Sequence, residues 1–349
     1  MRSRLARRFG PQHLWSPSQW ERYARCPYHY FMEDVLGLEP LGELVLETDH
    51  LRRGSRLHRV MAEFHRRLAA ELAAGRAPSP QAATALSADF ASALDEVMHA
   101  GSRTGVDAAL AEIDRRQIAK WGDSYFQQLG KYDAAWAKLA ALGEPPLPAH
   151  FEFRFGPPHA DADDADRDDP RSTALPFVLD IGTEQLRITG RIDRVDVGRG
   201  RDGRIVFNVI DYKTGRRPTL SPERIESGER LQPALYVMAA QAMLFGDERA
   251  TPLWAGYWSM DKGVTTDRRF SLVCSSDELE PTEAWDALRK KVVERVGQFV
   301  ADIRHGDFPV ASRDDHCTSH CPFATVCRVA QVRSLAKPWW PEMETEEVE

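Results

Sequence analysis

Residues 186–213 constrain this chain more than any other stretch, and they read LRITGRIDRVDVGRGRDGRIVFNVIDYK. Leu186 to Val197 alternates apolar and polar residues, as a half-buried strand does. Arg204 to Tyr212 repeats that character, and the glycine-rich GRGRDG between them supplies a turn. A turn centred near Asp202 brings Asp193 opposite Asp211. Asp211 and Lys213 are two residues apart and share one face of their strand. Two carboxylates and an ammonium then converge, which is a metal site with a cation beside it. Hard cations such as Mg2+ take oxygen ligands and keep waters for a phosphate substrate. Such an ion activates water, and a neighbouring lysine orients the nucleophile or stabilises developing charge. The plainer alternative is an ordinary surface ion pair, because Asp-x-Lys is a common tripeptide. The flanks argue for the site: an apolar strand enters Asp211, Thr214-Gly215 leaves Lys213, and Gly190 precedes Asp193 by three residues.

A second segment, LQPALY at 231–236, places Gln232 and Tyr236 four apart on one helical face, with Pro233 suited to a first turn. GRIDRVD, VIDYKTG and LQPALY in this order resemble the nuclease core of the PD-(D/E)XK superfamily, and more narrowly the RecB/AddB-type nuclease domain. The resemblance implies an α/β, restriction-endonuclease-like core with a mixed central sheet flanked by helices. It implies that Asp193 and Asp211 hold Mg2+ or Mn2+ and that Lys213 is the catalytic lysine. Gln232 and Tyr236 match that family's Gln-x-x-x-Tyr motif, which lies beside the active site and is associated with DNA.

Gly54 to Leu72 reads as an amphipathic helix with Leu57, Val60, Met61, Phe64 and Leu68 on its apolar stripe. His58 and His65 lie beside that stripe, where a histidine is ordinarily structural. The family has a metal-ligating histidine in the same Gly-x-x-x-His context, which implies that role for His58 and leaves His65 structural. Pro148 to Phe155 alternates as a strand. Glu152 on it is either a solvent-facing glutamate or the acidic residue the family often carries before the Asp193 strand, and both readings stay open.

Near the other end, Cys317, Cys321 and Cys327 are closely spaced after a helix, which signals a metal. Zinc and iron–sulfur both accept thiolates, and His316 or His320 makes a Cys3His zinc site a rival. Cys26, followed by Pro27 and aromatic residues, reads by itself as a small buried side chain. By resemblance, these three cysteines plus Cys26 look like the 4Fe-4S staple of AddB-type domains and of CRISPR-associated RecB-like nucleases. Such a staple would tie the N- and C-terminal parts together and make stability depend on the cluster. Cys274 has no place in this scheme.

These motifs give an organisation. Residues 1–14 are expected to be a flexible basic arm, and 15–330 a nuclease domain. Within it, 78–145 is a helical insertion, 157–174 an acidic loop and 312–330 the cysteine-rich segment. Residues 331–349 form an acidic tail. The loop carries six aspartates between Asp161 and Asp169, and a solvated run is the default for it.

Composition adds exclusions. The hydrophobic fraction of 42% suffices for a core. A formal charge of −7 is not that of a bulk nucleic-acid binder, so binding would need a local basic groove. No apolar run reaches membrane length, no secretory segment stands out, and five cysteines in so long a chain are no disulfide framework. No G-x-x-x-x-G-K-[ST] occurs, hence no evident helicase motor. The resemblance implies a DNA exonuclease acting on single strands or duplex ends, in double-strand-break repair and recombination. The resemblance sets it in a bacterial cytoplasm, acting at the nucleoid, with a separate helicase subunit as partner. A CRISPR spacer-acquisition nuclease and a non-catalytic DNA-end-binding module are the alternatives.

Overall fold

The computed structural model describes residues 2–39, 50–73, 82–99, 105–137, 141–157, 169–215, 218–246, 250–260, 263–264, 279, 282–314 and 316–329. Most of the acidic loop, Cys274 and the acidic tail lie outside them.

Five strands build the main sheet: β2 (Leu142–Phe155), β5 (Gly190–Gly200), β6 (Ile205–Lys213), β7 (Ala250–Ser259) and β8 (Gly263–Val264), side by side in the order β2-β5-β6-β7-β8. Only β6 and β7 pair in parallel, so the sheet is mixed. Ile205 to Tyr212 is buried throughout, as expected of a central strand covered on both faces. Its side chains split with period two. Ile205, Phe207 and Val209 enter one core, whereas Val206, Ile210 and Tyr212 enter the other.

The first core packs beneath α8 (Gln232–Leu244) and α9 (Glu283–His305). Helix α8 is apolar almost all round because it is buried among α2 (Pro17–Arg25), the main sheet and a small second sheet. That small sheet orders β1 (Leu14–Trp15), β4 (Gln185–Ile188) and β3 (Phe177–Asp180). The second core lies under α4 (His50–Ala73), α5 (Ala82–His99) and α6 (Gly105–Trp136). Trp121, Tyr125, Leu129 and Trp136 line the buried face of α6, as their spacing predicts. Helix α9 stops where Gly306 adopts the left-handed conformation at φ 86°. Among the described residues, no helix is long and apolar enough to cross a membrane.

Three expectations need correction. The basic arm is not free: Arg2–Arg8 is helix α1, packed on α9. Leu5 and Phe9, one turn apart, are buried, Phe9 stacks on Trp15 at 5.4 Å, and Arg304 donates to the Phe9 carbonyl at 2.7 Å. Burying two such side chains is worth roughly 1.5–3 kcal/mol each, which offsets the cost of ordering the segment. The strand expected from Leu186 to Val197 is two strands in different sheets. It breaks at Thr189, whose N–H donates to the Trp15 carbonyl (2.8 Å) and whose hydroxyl donates to the Phe155 carbonyl (3.0 Å). Finally, strand β2 begins at Leu142, inside the expected helical insertion, and bends through register shifts between Leu142 and His150.

Candidate active site and cysteine cavity

The turn between β5 and β6 is tight, with the Gly203 N–H donating to the Gly200 carbonyl at 3.0 Å. Pairing of Arg194 with Ile210 fixes the register, and one further step sets Asp193 across from Asp211. On the other side, Phe151 pairs with Arg194 and Phe153 with Ile192, so Glu152 stands across from Asp193. Asp211 pairs in turn with Tyr257 on β7. Glu152, Asp193, Asp211 and Tyr257 thus form one row across four adjacent strands, and all four are buried.

Glu152 reaches this row with an unusual backbone, a left-handed φ of 54° in mid-strand. Such a conformation costs about 1–3 kcal/mol in a non-glycine residue and persists where the surroundings over-determine it. Asp169, at the end of the acidic run, is one surrounding element. It is buried, and its carboxylate accepts from the N–H groups of Phe151 (3.2 Å) and Arg171 (2.8 Å). The solvated reading therefore does not hold for this aspartate.

Helix α4 brings His58 over the row. Its Nδ1 lies 3.1 Å from Asp193 Oδ1 and 3.9 Å from Glu152 Oε1, and its Nε2 lies 3.2 Å from the Tyr212 carbonyl. His58, Glu152 and Asp193 each offer a ligand atom, all within 4.8 Å of one another. The Lys213 ammonium pairs with Asp211 and sits 5.3 Å from the centre of the Tyr257 ring. Arg191, two residues before Asp193, pairs with Glu152 Oε2 at 2.9 Å.

The charges follow from this crowding. Burial disfavours the His58 cation, yet the Asp193 carboxylate beside it, with Glu152 and Asp211 beyond, raises its pKa to about 9. Burial lifts Glu152 to about 7, helped by the charge of Asp193. Burial also lifts Asp211, to about 6, against the pull of Lys213. Asp193 moves the other way. His58 and Lys213 hold it below the usual carboxylate range despite burial. The Lys213 ammonium is stabilised, because Asp211 and Asp193 outweigh its desolvation.

Helix α8 presents Gln232 and Tyr236 from below. Tyr236 is buried, and its hydroxyl meets the Gln232 side chain and the Arg191 backbone N–H. Its ring lies so close to Gly190 that an added Cβ there would stand 2.9 Å from Tyr236 Cε1 and 2.8 Å from Phe155 Cζ. That contact explains the glycine three residues ahead of Asp193.

Behind the row lies a network that the sequence reading did not anticipate. Arg194 is fully buried and grips Asp196 with two bonds of 2.5 and 2.8 Å. It also donates to the hydroxyls of Tyr125 (2.6 Å) and Tyr212 (3.2 Å). His65 pairs with the Tyr125 hydroxyl at 2.6 Å and stays neutral, because burial and Arg194 both disfavour its cation. Tyr132 donates to Asp196 at 2.8 Å. The α6 helix therefore contributes polar anchors as well as core packing. The available signal was Arg194-x-Asp196, a charge pair on one face of a strand otherwise rich in buried positions.

The four cysteines meet at the C-terminal end of α2. Cys26 is the residue that ends this helix, and Cys317, Cys321 and Cys327 come from the segment after α9. All four line one cavity of about 210 Å3, together with His29, His320 and Phe323. None of the four is in a disulfide. Burial raises the pKa of Cys26 and of Cys321, and the neighbouring thiols add to the effect. His320 is turned to other partners, with Nε2 3.0 Å from Asp314 and Nδ1 3.3 Å from the Ser319 hydroxyl.

A mixed sheet lines up acidic residues on adjacent strands beside a lysine, an arrangement able to hold a divalent ion next to a phosphate. The family comparison agrees: the PD-(D/E)XK nuclease superfamily matches residues 14–328, and the chain belongs to that superfamily. It is similar to an ATP-dependent helicase/deoxyribonuclease subunit of Moorella thermoacetica, with 30% identity over 243 residues, which is 68% of this chain and 18% of that protein. The protein of the same name from Carboxydothermus hydrogenoformans is 24% identical over 276 residues, 78% of this chain and 22% of its own length. In Symbiobacterium thermophilum the identity reaches 48%, over 65 residues that make up 18% of this chain and 6% of that protein. The chain thus spans about a fifth of the first of these relatives.

Proposed function

We propose that the chain is a Mg2+- or Mn2+-dependent deoxyribonuclease that shortens DNA from its ends, in double-strand-break repair and recombination. The observation that carries this reading is the row Glu152, Asp193 and Asp211 with His58 above it and Lys213 beside it. The donor set suits a hard divalent ion, being mostly carboxylate oxygen with one imidazole. His58, Asp193 and Asp211 would hold the ion, with Glu152 as a further ligand. An ion bound there would lower the pKa of a water and neutralise charge on the phosphate. Lys213, fixed by Asp211, is placed to orient the attacking water, and its ammonium faces the charge that develops. Gln232 and Tyr236 seat the DNA strand beside Asp193. Contacts to phosphate position the strand without reading its bases, so activity falls with salt.

Helicase action belongs to the name the relatives carry, and the match covers about a fifth of their length. On that basis this chain works with a helicase partner. We assign Cys26, Cys317, Cys321 and Cys327 to a 4Fe-4S cluster. Their shared cavity supports this, and so does the engagement of His320 elsewhere.

The test uses protein purified without oxygen and end-labelled linear single strands, linear duplexes and circles, with Mg2+, Mn2+ or EDTA. Metal-dependent shortening of linear DNA with circles intact is expected. Cutting of circles would replace the exonuclease with an endonuclease, and no cleavage by folded, metal-loaded protein would overturn the reading.

A further inference from the structure

Helix α2 has a cysteine at one end and a carboxylate in its middle that faces the candidate active site. That carboxylate is Glu21. Its Oε1 accepts a hydrogen bond from the backbone N–H of Gln232, the first residue of α8, at 2.8 Å. Leu231, the residue that caps α8, makes no side-chain bond to that turn. A helix start leaves N–H groups without partners, and an oxygen normally supplied by the cap satisfies them. Here the oxygen comes from another helix, more than two hundred residues away in sequence.

The contacts continue inward. Glu21 faces the cations of Arg230 and Lys213, and Asp211 beyond them. Gln232 meets the Tyr236 hydroxyl, which also takes the Arg191 N–H two residues before Asp193. Its Oε1 is engaged by the Gln232 N–H, which is the contact of a support.

We propose that Glu21 is a positioning residue of the reaction centre: it caps α8 from the cysteine-bearing helix and so fixes Gln232 and Tyr236 against the strand that carries Asp193. This role deepens the nuclease reading and rests on it. It also gives the cysteine cavity a mechanical route to the active site, since Cys26 ends the same helix that carries Glu21.

The experiment compares Glu21→Ala and Glu21→Gln in the full chain by three readouts: amide hydrogen exchange over 231–236, kcat and KM on single-stranded DNA, and Mg2+ affinity. Loss of the bond in Glu21→Ala should speed exchange in the first turn of α8 and lower kcat about tenfold. Mg2+ affinity should stay within about twofold, because no ligand is lost. Glu21→Gln keeps an oxygen acceptor and should stay within about threefold of the wild type in kcat. Unchanged exchange and kcat in Glu21→Ala would overturn the proposal. So would a glutamine variant as impaired as the alanine one, or Mg2+ affinity falling in step with kcat. If Glu21→Ala does not fold, Glu21→Asp replaces it, and positioning then requires faster exchange and lower kcat than in Glu21→Gln. A wild type that cleaves no DNA would defeat the nuclease reading, while exchange over 231–236 would still decide the capping claim.

Discussion

Metal binding at this site should expel protons, and the number follows from the geometry. In the metal-free protein His58 sits among three carboxylates and holds its proton up to about pH 9. Glu152 titrates near 7 and Asp211 near 6. A ligating imidazole must be neutral and a ligating carboxylate ionised. At pH 7 the imidazole carries a full proton and Glu152 about half of one, so binding releases roughly one to two protons. Apparent Mn2+ affinity should then rise about tenfold or more from pH 7 to pH 8 and level off above about 9. Without metal the sign is opposite for stability. The His58 ion pair contributes fully below its unfolded pKa of about 6.5 and is lost as pH rises through about 9. Isothermal titration calorimetry with Mn2+, in buffers of different ionisation enthalpy, measures the release directly. A buffer-independent heat at pH 7 together with pH-independent affinity would refute the reasoning, because it would mean that the ion binds away from His58 and Glu152.

Other perturbations probe the surroundings of the site. Arg194→Leu leaves Asp196 buried without its cation and should cost about 3–5 kcal/mol in urea unfolding. Asp196→Leu in the same background should recover part of that loss, and strict additivity would contradict the network. Cys26→Ser should lower the melting temperature and weaken iron retention in protein purified without oxygen, whereas unchanged values would remove the cluster from the account. Gly190→Ala forces a methyl group against Tyr236 and Phe155 and should destabilise by about 1–3 kcal/mol, read from the urea midpoint.

Some of this architecture was legible in the sequence and some was not. The register of Asp193 against Asp211 follows from counting outward from the turn at Asp202, since antiparallel pairing conserves that sum. His58 needed the resemblance, because an amphipathic helix does not announce which strand it will cover. Glu152 was undecidable because its direction depends on a left-handed φ that an alternating pattern does not encode. Nothing in the sequence marks Arg194 as buried, and only tertiary partners from α4, α6 and β6 make its burial tolerable. The arm at Arg2–Arg8 shows the converse. Its basic residues dominate the composition, but Leu5 and Phe9 decide where it goes. Glu21 carries no signal in the sequence, because its partner, the Gln232 N–H, is remote along the chain.

The central claim is that this row of residues cleaves DNA, and Lys213→Ala tests it most directly. The substitution removes the ammonium that pairs with Asp211 and leaves Glu152, Asp193 and His58 in place. Cleavage of end-labelled linear DNA and binding of the same DNA are measured side by side on wild type and variant in Mn2+. The account predicts cleavage by the wild type, a fall of at least about a hundredfold in the variant, and DNA binding within a few fold. Equal cleavage by both proteins, or DNA binding with no cleavage by either, would contradict it.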